Sequence, residues 1–369
     1  MKKSLIALAA LAATASFAQS SVQIDGIFDA GFQAIDYKGN KVNGIAGNGS
    51  STSQINFRGT EDLGGGLKAN FRVETDWNTV FNKGNTGAAS AINTTTVANS
   101  ANSAAGSFGN GEIRGGLSGN FGAVDLGVVN FNTLGTYLTG QPFGTAIGGG
   151  YGSIARVDAA GSAVRSDNSA KYTSPTFSGL NVTLYKANKQ TKGSNASDNF
   201  STTFGRTDLI GSEEVGVNYA NGPIAASFSS LKQDSVDVVA ATGGAAGTTT
   251  SRVNTLGANY TMGAAKFFLL NQTNKKSDNT VNTKYTSVSA TYAIGATTLM
   301  AQYGQLNNDV NNTKSKMTGL GADYALSKRT ALYARYESID DKAGVVAVTG
   351  FTAANDKRTR TAFGLRHAF

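Results

Sequence analysis

The 369-residue chain has no cysteine, so neither disulfides nor thiol chemistry contribute to it. It has one histidine, His367, and one tryptophan, Trp77. A single histidine close to the C-terminus argues against a histidine-based hydrolase. After the N-terminus no apolar run approaches the roughly 20 residues that a transmembrane helix needs. No linker-like change of composition divides the chain, although a soluble protein of this length would usually form two domains. Charge is not clustered either. The formal net charge is +8, but the lysines and arginines are spread along the chain rather than gathered in a basic stripe, which points away from nucleic acid.

What is present is informative at both ends. Met1 to Ala18 carries Lys2 and Lys3, then an apolar stretch from Leu5 to Ala13, then small residues around Ser16-Phe17-Ala18. That order is a secretory signal peptide cleaved after Ala18. Its loss would leave residues 19–369 as one domain with net charge +6. At the other end, Thr361, Phe363, Leu365, His367 and Phe369 alternate with Arg360, Ala362, Gly364, Arg366 and Ala368. One face is largely apolar and the other carries two arginines, as in a strand between an apolar medium and water. A closing strand with a terminal phenylalanine is similar to the assembly signal of bacterial outer-membrane barrels.

The same alternation recurs through the chain. From Leu67 to Trp77, the residues Leu67, Ala69, Phe71, Val73, Thr75 and Trp77 alternate with Lys68, Asn70, Arg72, Glu74 and Asp76. Eleven residues suit a tilted membrane strand, and a tryptophan at its end suits an aromatic girdle. Sixteen such strands are predicted, near 21–34, 52–61, 66–78, 110–118, 122–130, 166–175, 179–190, 212–221, 223–232, 252–262, 264–274, 284–293, 296–306, 315–325, 329–340 and 359–369. Their connections alternate between tight turns, such as Ala220-Asn221-Gly222-Pro223, and long polar loops at 35–51, 79–109, 131–165, 191–211, 233–251, 275–283, 307–314 and 341–358. Short turns at one end and long loops at the other describe an antiparallel transmembrane β-barrel, and sixteen strands enclose a water-filled channel. Residues 79–109 have a low-complexity composition that cannot form a core. The loop 131–165 differs, with Leu134, Tyr137, Leu138, Phe143, Ile147, Tyr151 and Ile154 among its glycines. Apolar residues in a long loop imply packing, here against the inner wall.

Several stretches together resemble the general porins of Gram-negative bacteria, in their beta-proteobacterial branch. They are Ser21–Asp29 (SVQIDGIFD), Phe57–Ala69 (FRGTEDLGGGLKA), Gly116–Gly122 (GLSGNFG), Asp167–Pro175 (DNSAKYTSP), Gly319–Thr330 (GLGADYALSKRT) and Gly364–His367 (GLRH). The resemblance runs in order along the whole mature chain. It implies an all-β sixteen-stranded antiparallel barrel with short periplasmic turns, long external loops and a third loop, 131–165, folded inward to narrow the pore. It also implies a homotrimer in the outer membrane that reaches its place through the barrel-assembly machinery. Two departures stand out. Where the family commonly has arginines, before the second strand and at the end of the fifth, this chain has Ser53-Gln54 and Leu126-Gly127-Val128-Val129.

Strand parity assigns Arg58, Lys68, Arg72, Arg114, Lys171, Arg335, Arg358, Arg360 and Arg366 to the lumen, together with Asp25, Asp29, Glu74, Asp76, Glu112, Asp125, Asp323 and Glu337. Charged walls in a narrow pore focus the local potential. The expectation is a passive diffusion channel for ions and small hydrophilic solutes with a weak to moderate preference for anions. Arg156 and Asp158 in the inward loop would add to the field. The alternative is a channel specific for a small organic acid or sugar, with Tyr137, Phe143 and Tyr151 as the aromatic track. No catalytic set, metal site or cofactor is expected. Glu61-Asp62 and Asp340-Asp341 sit at strand ends as solvated charge, and Gly150–Ala155 lacks the strand and helix that a dinucleotide fingerprint requires.

Overall fold

The computed structural model describes residues 21–37, 40–77, 79–80, 108–156, 164–188, 211–236, 248–343 and 357–369. The signal segment, Asp158 and most of the low-complexity stretch 79–109 lie outside them. The strands are β1 (Ser21–Tyr37), β2 (Asn40–Gly47), β3 (Gln54–Gly64), β4 (Leu67–Asp76), β5 (Ile113–Gly119) and β6 (Gly122–Asn130). A helix, α1 (Asn132–Thr139), precedes β7 (Arg165–Thr173), β8 (Leu180–Ala187), β9 (Gly211–Asn221), β10 (Ile224–Val236) and β11 (Thr248–Met262). Then come β12 (Ala265–Lys276), β13 (Asn282–Ile294), β14 (Thr297–Asn308), β15 (Thr313–Ala325), β16 (Thr330–Asp341) and β17 (Lys357–Ala368). Each of β3 to β16 pairs antiparallel with the next in chain order. β17 closes on β1, with Ile27 opposite Ala368 and Tyr37 opposite Arg358. Closure leaves no free edge, the condition for a sheet to stand in lipid.

Seventeen segments make sixteen staves because β2 and β3 share one. The first part of β1 pairs with β3 and the second with β2. Between them the chain bulges inward over 48–53, held by Asp29, whose carboxylate accepts the backbone N–H groups of Gly49 (3.1 Å), Ser50 (2.9 Å) and Ser51 (2.8 Å). The loop predicted over 35–51 therefore contains a strand. It escaped the alternation test because its polarity is reversed: Lys41 and Asn43 point outward while Val42 and Ala46 point in. Two connections expected to be long, 275–283 and 307–314, are short hairpins over 277–281 and 309–312.

The distribution of polarity is the inverse of a soluble protein's. Leu184, Val215, Phe228, Leu256, Leu269, Val288, Leu320 and Phe363 are exposed on the outside, whereas Ser227, Ser229, Thr255, Gln272, Ser287 and Gln302 are buried on the inside. Near the tight turns the outer face carries Tyr260, Tyr292 and Tyr324, whose amphipathic rings suit a membrane boundary.

Candidate pore constriction

The connection from β6 to β7 turns into the barrel. A bulge between Gly127 and Val129 shifts the register there and directs Val129 inward. Val129 and Phe131 then pack on Tyr185, Ala187, Leu231 and Val253 of the inner wall. The helix α1 begins at this point with no side-chain cap of its own. Its cap comes from the wall it packs against: Glu214 of β9 accepts the N–H groups of Asn132 (2.5 Å) and Thr133 (2.7 Å) and the Thr133 hydroxyl (2.6 Å). A carboxylate at the helix N-terminus satisfies orphan donors and complements the dipole. The helix lies so close to β11 that a Cβ at Gly257 would stand 2.1 Å from the Thr136 carbonyl oxygen.

Past α1 the loop spreads over β12 to β17. Tyr137, Ile154 and Ala155 bury themselves against Leu270, Tyr285, Leu306, Met317 and Ile339. These are inward-facing wall residues, and the loop above them explains why they are apolar. A second carboxylate anchors this half: Glu337 of β16 accepts the N–H groups of Gly148 and Gly150, each at 3.1 Å. It also takes Arg358 at 3.0 Å and Arg360 at 2.7 Å. Gly319 of β15 admits the loop backbone, since a Cβ there would lie 2.1 Å from the Gly148 oxygen. The Arg156 backbone bonds both ways with the Gln272 amide. Tyr137 and Phe143 are buried within the loop, and the Tyr137 hydroxyl donates to the Gly149 carbonyl at 3.0 Å. Burial pushes the Tyr137 phenol well above its usual range, so it stays neutral.

The other wall, from β1 and β3 to β7, is left uncovered and carries charge. Arg58 pairs with Asp25. Arg72 pairs with Glu74 and Glu112 and donates to Asn56. Arg114 pairs with Asp125 at 2.5 Å and donates to Asn70. Arg72 stands directly opposite Arg58 on one side and Arg114 on the other. Lys171 reaches the Asn130 carbonyl at 3.0 Å. Arg165, which the sequence reading left at the edge of the loop, joins this network beside Glu74 (3.9 Å) and Asp76 (3.7 Å). Five cations and five carboxylates thus meet in this network, and its charge is balanced. Burial divides them, however. The side chain of Arg58 is 49% exposed against 18% for Asp25, Arg72 is 24% against 8% for Glu74 and Glu112, and Arg114 is 28% against 13% for Asp125.

Arg335 and Arg360, also assigned to the lumen by parity, are withdrawn from it. Arg335 is buried beside Asp323 (2.8 Å) and donates to Ser50. Arg360 is committed to Glu337. The parity was right and the covering loop was what sequence could not place. Phe369 exchanges backbone hydrogen bonds with Gly26, each 3.1 Å, and so seals the seam. His367 faces outward near the rim, in contact with Thr330 (2.9 Å) and stacked on Phe369.

A closed barrel with an inward loop and a charged wall is the architecture of a channel, and comparison with known proteins agrees. Residues 5–344 match the Gram-negative porin family model. The chain belongs to that family. It is 34% identical, over the full length of both chains, to outer membrane porin protein 32 of Delftia acidovorans. Among solved structures it is similar to an anion-selective porin from Comamonas acidovorans, at 28% identity and a TM-score of 0.72, covering 95% of this chain and 100% of that one. The trimer form of OmpT from Vibrio cholerae shares the fold at 15% identity and a TM-score of 0.65, covering 95% and 99% of the two chains. The chain is therefore an outer-membrane porin, a barrel around a water-filled channel, and its curated relatives are channel proteins.

Proposed function

We propose that this porin passes small hydrophilic solutes passively with a weak preference for anions, set on the wall of β3 to β6. The observation that carries this is the layering of the ion pairs. Charge is balanced, so no strong net potential arises. Yet the guanidinium groups of Arg58, Arg72 and Arg114 stand nearer the water than the carboxylates behind them. A mobile ion meets the positive end of each pair first, and in a confined pore with low-dielectric walls that order matters. The anion-selective relative supports the sign. Gln54 and Val128 in place of the family's commonly found arginines support a modest magnitude. The aromatic track of a solute-specific channel is disfavoured, because Tyr137 and Phe143 are spent inside the loop. No catalytic role is proposed for any residue.

The remaining parts follow the same reading. Residues 1–18 act as the export signal and 19–369 as the barrel, with 131–165 as its constricting loop. Phe369 is the terminal signal read by the barrel-assembly machinery. The homotrimer forms through the outer faces of the first strands, where Phe57, Phe71, Ile113, Leu117, Val124 and Leu126 point out and the charged Glu61 appears only at the tight turn. The test is planar-bilayer conductance of the refolded protein under a KCl gradient. The expected result is stepwise opening in threes with a small reversal potential of the sign that favours chloride. A reversal potential favouring potassium would overturn the assignment.

A further inference from the structure

Asn130, the last residue of β6 and the root of the inward loop, has a strand on only one side. The β5–β6 ladder ends at Ile113 opposite Val128, whereas the β6–β7 ladder runs on to Asn130 opposite Arg165. In an antiparallel strand the N–H and C=O of one residue point the same way, and the next residue points the other way. The Phe131 N–H goes to the Val164 carbonyl on the β7 side, at 2.8 Å. Asn130 therefore turns both of its backbone groups toward the side where β5 has ended. Groups left without a strand need other partners, and two side chains supply them. Glu112 accepts the Asn130 N–H at 3.1 Å, and Lys171 donates to the Asn130 carbonyl at 3.0 Å. Ser169 serves the bulge just before, accepting the Val129 N–H at 3.1 Å and donating to the Gly127 carbonyl at 2.8 Å.

Glu112 has a second task. Its own carbonyl accepts the Glu74 N–H at 2.9 Å, which extends the pairing of β4 with β5 and fixes where the side chain starts. One carboxylate oxygen, Oε1, takes the loop root. The other, Oε2, takes Arg72 at 3.0 Å and lies 3.6 Å from Arg114. A single carboxylate, on a residue only 6% exposed, thus holds two arginines of the charged wall with one oxygen and the loop with the other. The loop's return is tied to the same rim, because Arg165 donates to the Asn110 carbonyl at 2.8 Å and stands beside Glu74 and Asp76. Two other carboxylates each do half of what Glu112 does. Among the described residues, Asp125 pairs with Arg114 and bonds no loop backbone, and Glu214 caps α1 and pairs with no arginine.

We propose that Glu112 is a positioning residue that couples the charged wall to the inward loop, so that the reach of Arg72 and Arg114 toward the lumen and the seat of the loop root are set together. A mobile anion that draws Arg72 forward competes with Glu112 for the guanidinium. Freed of that partner, the Glu112 side chain is fixed at one end only, and its hold on Asn130 weakens. Such coupling is reciprocal, so a loop displaced from Glu112 also releases the arginines. The sign of the ion involved rests on the anion preference proposed above, whereas the shared carboxylate is read from the geometry.

The test is single-channel recording of the refolded mature protein and of E112Q, D125N and E214Q, with reversal potential in a KCl gradient and flicker of the open level as separate readouts. A glutamine has one acceptor oxygen where the carboxylate has two, so E112Q must give up either the arginines or the loop. A unit charge about 8 Å from an ion in water acts half as strongly as one about 4 Å away, so loss of the carboxylate should raise the ratio of anion to cation permeability about twofold. The same channels should flicker. D125N should show the shift without the flicker, and E214Q the flicker with reversal potential nearly constant. In E112Q, a shift without flicker would make Glu112 one more wall charge, and flicker without a shift would make it one more anchor. Either result would overturn the coupling. The wild type supplies a second measurement that needs no variant to fold. Replacing chloride by sulfate at equal ionic strength should raise its flicker frequency, because the doubly charged anion competes harder for Arg72, and equal flicker in the two salts would also overturn the coupling. A wild-type reversal potential favouring potassium would instead defeat the anion preference, while paired changes in E112Q would still stand for the coupling.

Discussion

The two walls of the lumen are built from strands of the same kind, yet they differ in what covers them. Under the inward loop, the wall of β12 to β16 presents Leu270, Tyr285, Leu306, Met317 and Ile339, and its charges are sealed: Glu337 is fully buried between Arg358, Arg360 and the loop backbone. On the wall of β3 to β7 the charges are of the same types, but there the guanidinium groups of Arg58, Arg72 and Arg114 reach the water in front of their more buried carboxylates. Inward parity therefore does not make a residue pore-lining. A buried ion pair fixes the shape of the channel, whereas a wet one sets its field. In the dry half, removal of one partner leaves an uncompensated charge, a cost of about 3–5 kcal/mol. In the wet half, solvent reduces the same change to about 1 kcal/mol or less.

The largest effect is expected in the dry half. E337Q keeps the volume but withdraws the charge from Arg358 and Arg360 and weakens two loop hydrogen bonds. The barrel should lose about 3 kcal/mol against urea, and single channels should flicker between the native conductance and a larger one. A quiet channel of native size would mean that the loop is held elsewhere. E214Q, at the other anchor, should do the same more mildly, with a loss of about 2 kcal/mol, because it removes charge-assisted bonds without stranding a buried arginine. G257V attacks the contact itself. Its side chain would collide with the Thr136 carbonyl, costing about 1–3 kcal/mol and pushing α1 off the wall. Conductance should rise with reversal potential nearly constant, since the wet wall is untouched.

How much of this could be read from sequence follows from which forces act locally. Alternation is local, so the strands, the tight turns and the inward parity of Arg58, Arg72 and Arg114 were all legible. The strand Asn40–Gly47 was missed because Val42 and Ala46 face inward there, beneath the segment that Asp29 pulls into the lumen. The inward loop was legible from Tyr137, Phe143 and Ile154, apolar residues with no strand to occupy. Its landing place was not. Glu214 lies 82 positions from Asn132 and Glu337 lies 189 from Gly148, and nothing short-range announces those pairings. The glycines at 257 and 319 are a signal in hindsight, being inward positions with no side chain where the loop backbone crosses. Arg165 was overlooked for a related reason, since it sits where loop becomes strand and parity begins to apply.

The smallest effects belong to the wet wall, and they sharpen the contrast most. R58E replaces the most exposed guanidinium of the network with a carboxylate beside Asp25. Two unit charges about 4 Å apart in water interact by about 1 kcal/mol, so the ratio of anion to cation permeability should fall about fivefold. Measured as reversal potential in a KCl gradient, the shift should be toward cations, with the barrel's resistance to urea almost unaltered. R335Q is the matched control on the other wall. Arg335 carries the same charge and the same inward parity, but it is buried against Asp323 and Ser50. Its loss should lower stability and leave the reversal potential alone. If R335Q moved selectivity as far as R58E, burial would not be what separates the walls, and the channel's field would have to be treated as a sum over every inward charge. If R58E moved nothing while R72E and R114E did, the effective contacts would lie deeper along β4 and β5, where Arg72 and Arg114 stand face to face.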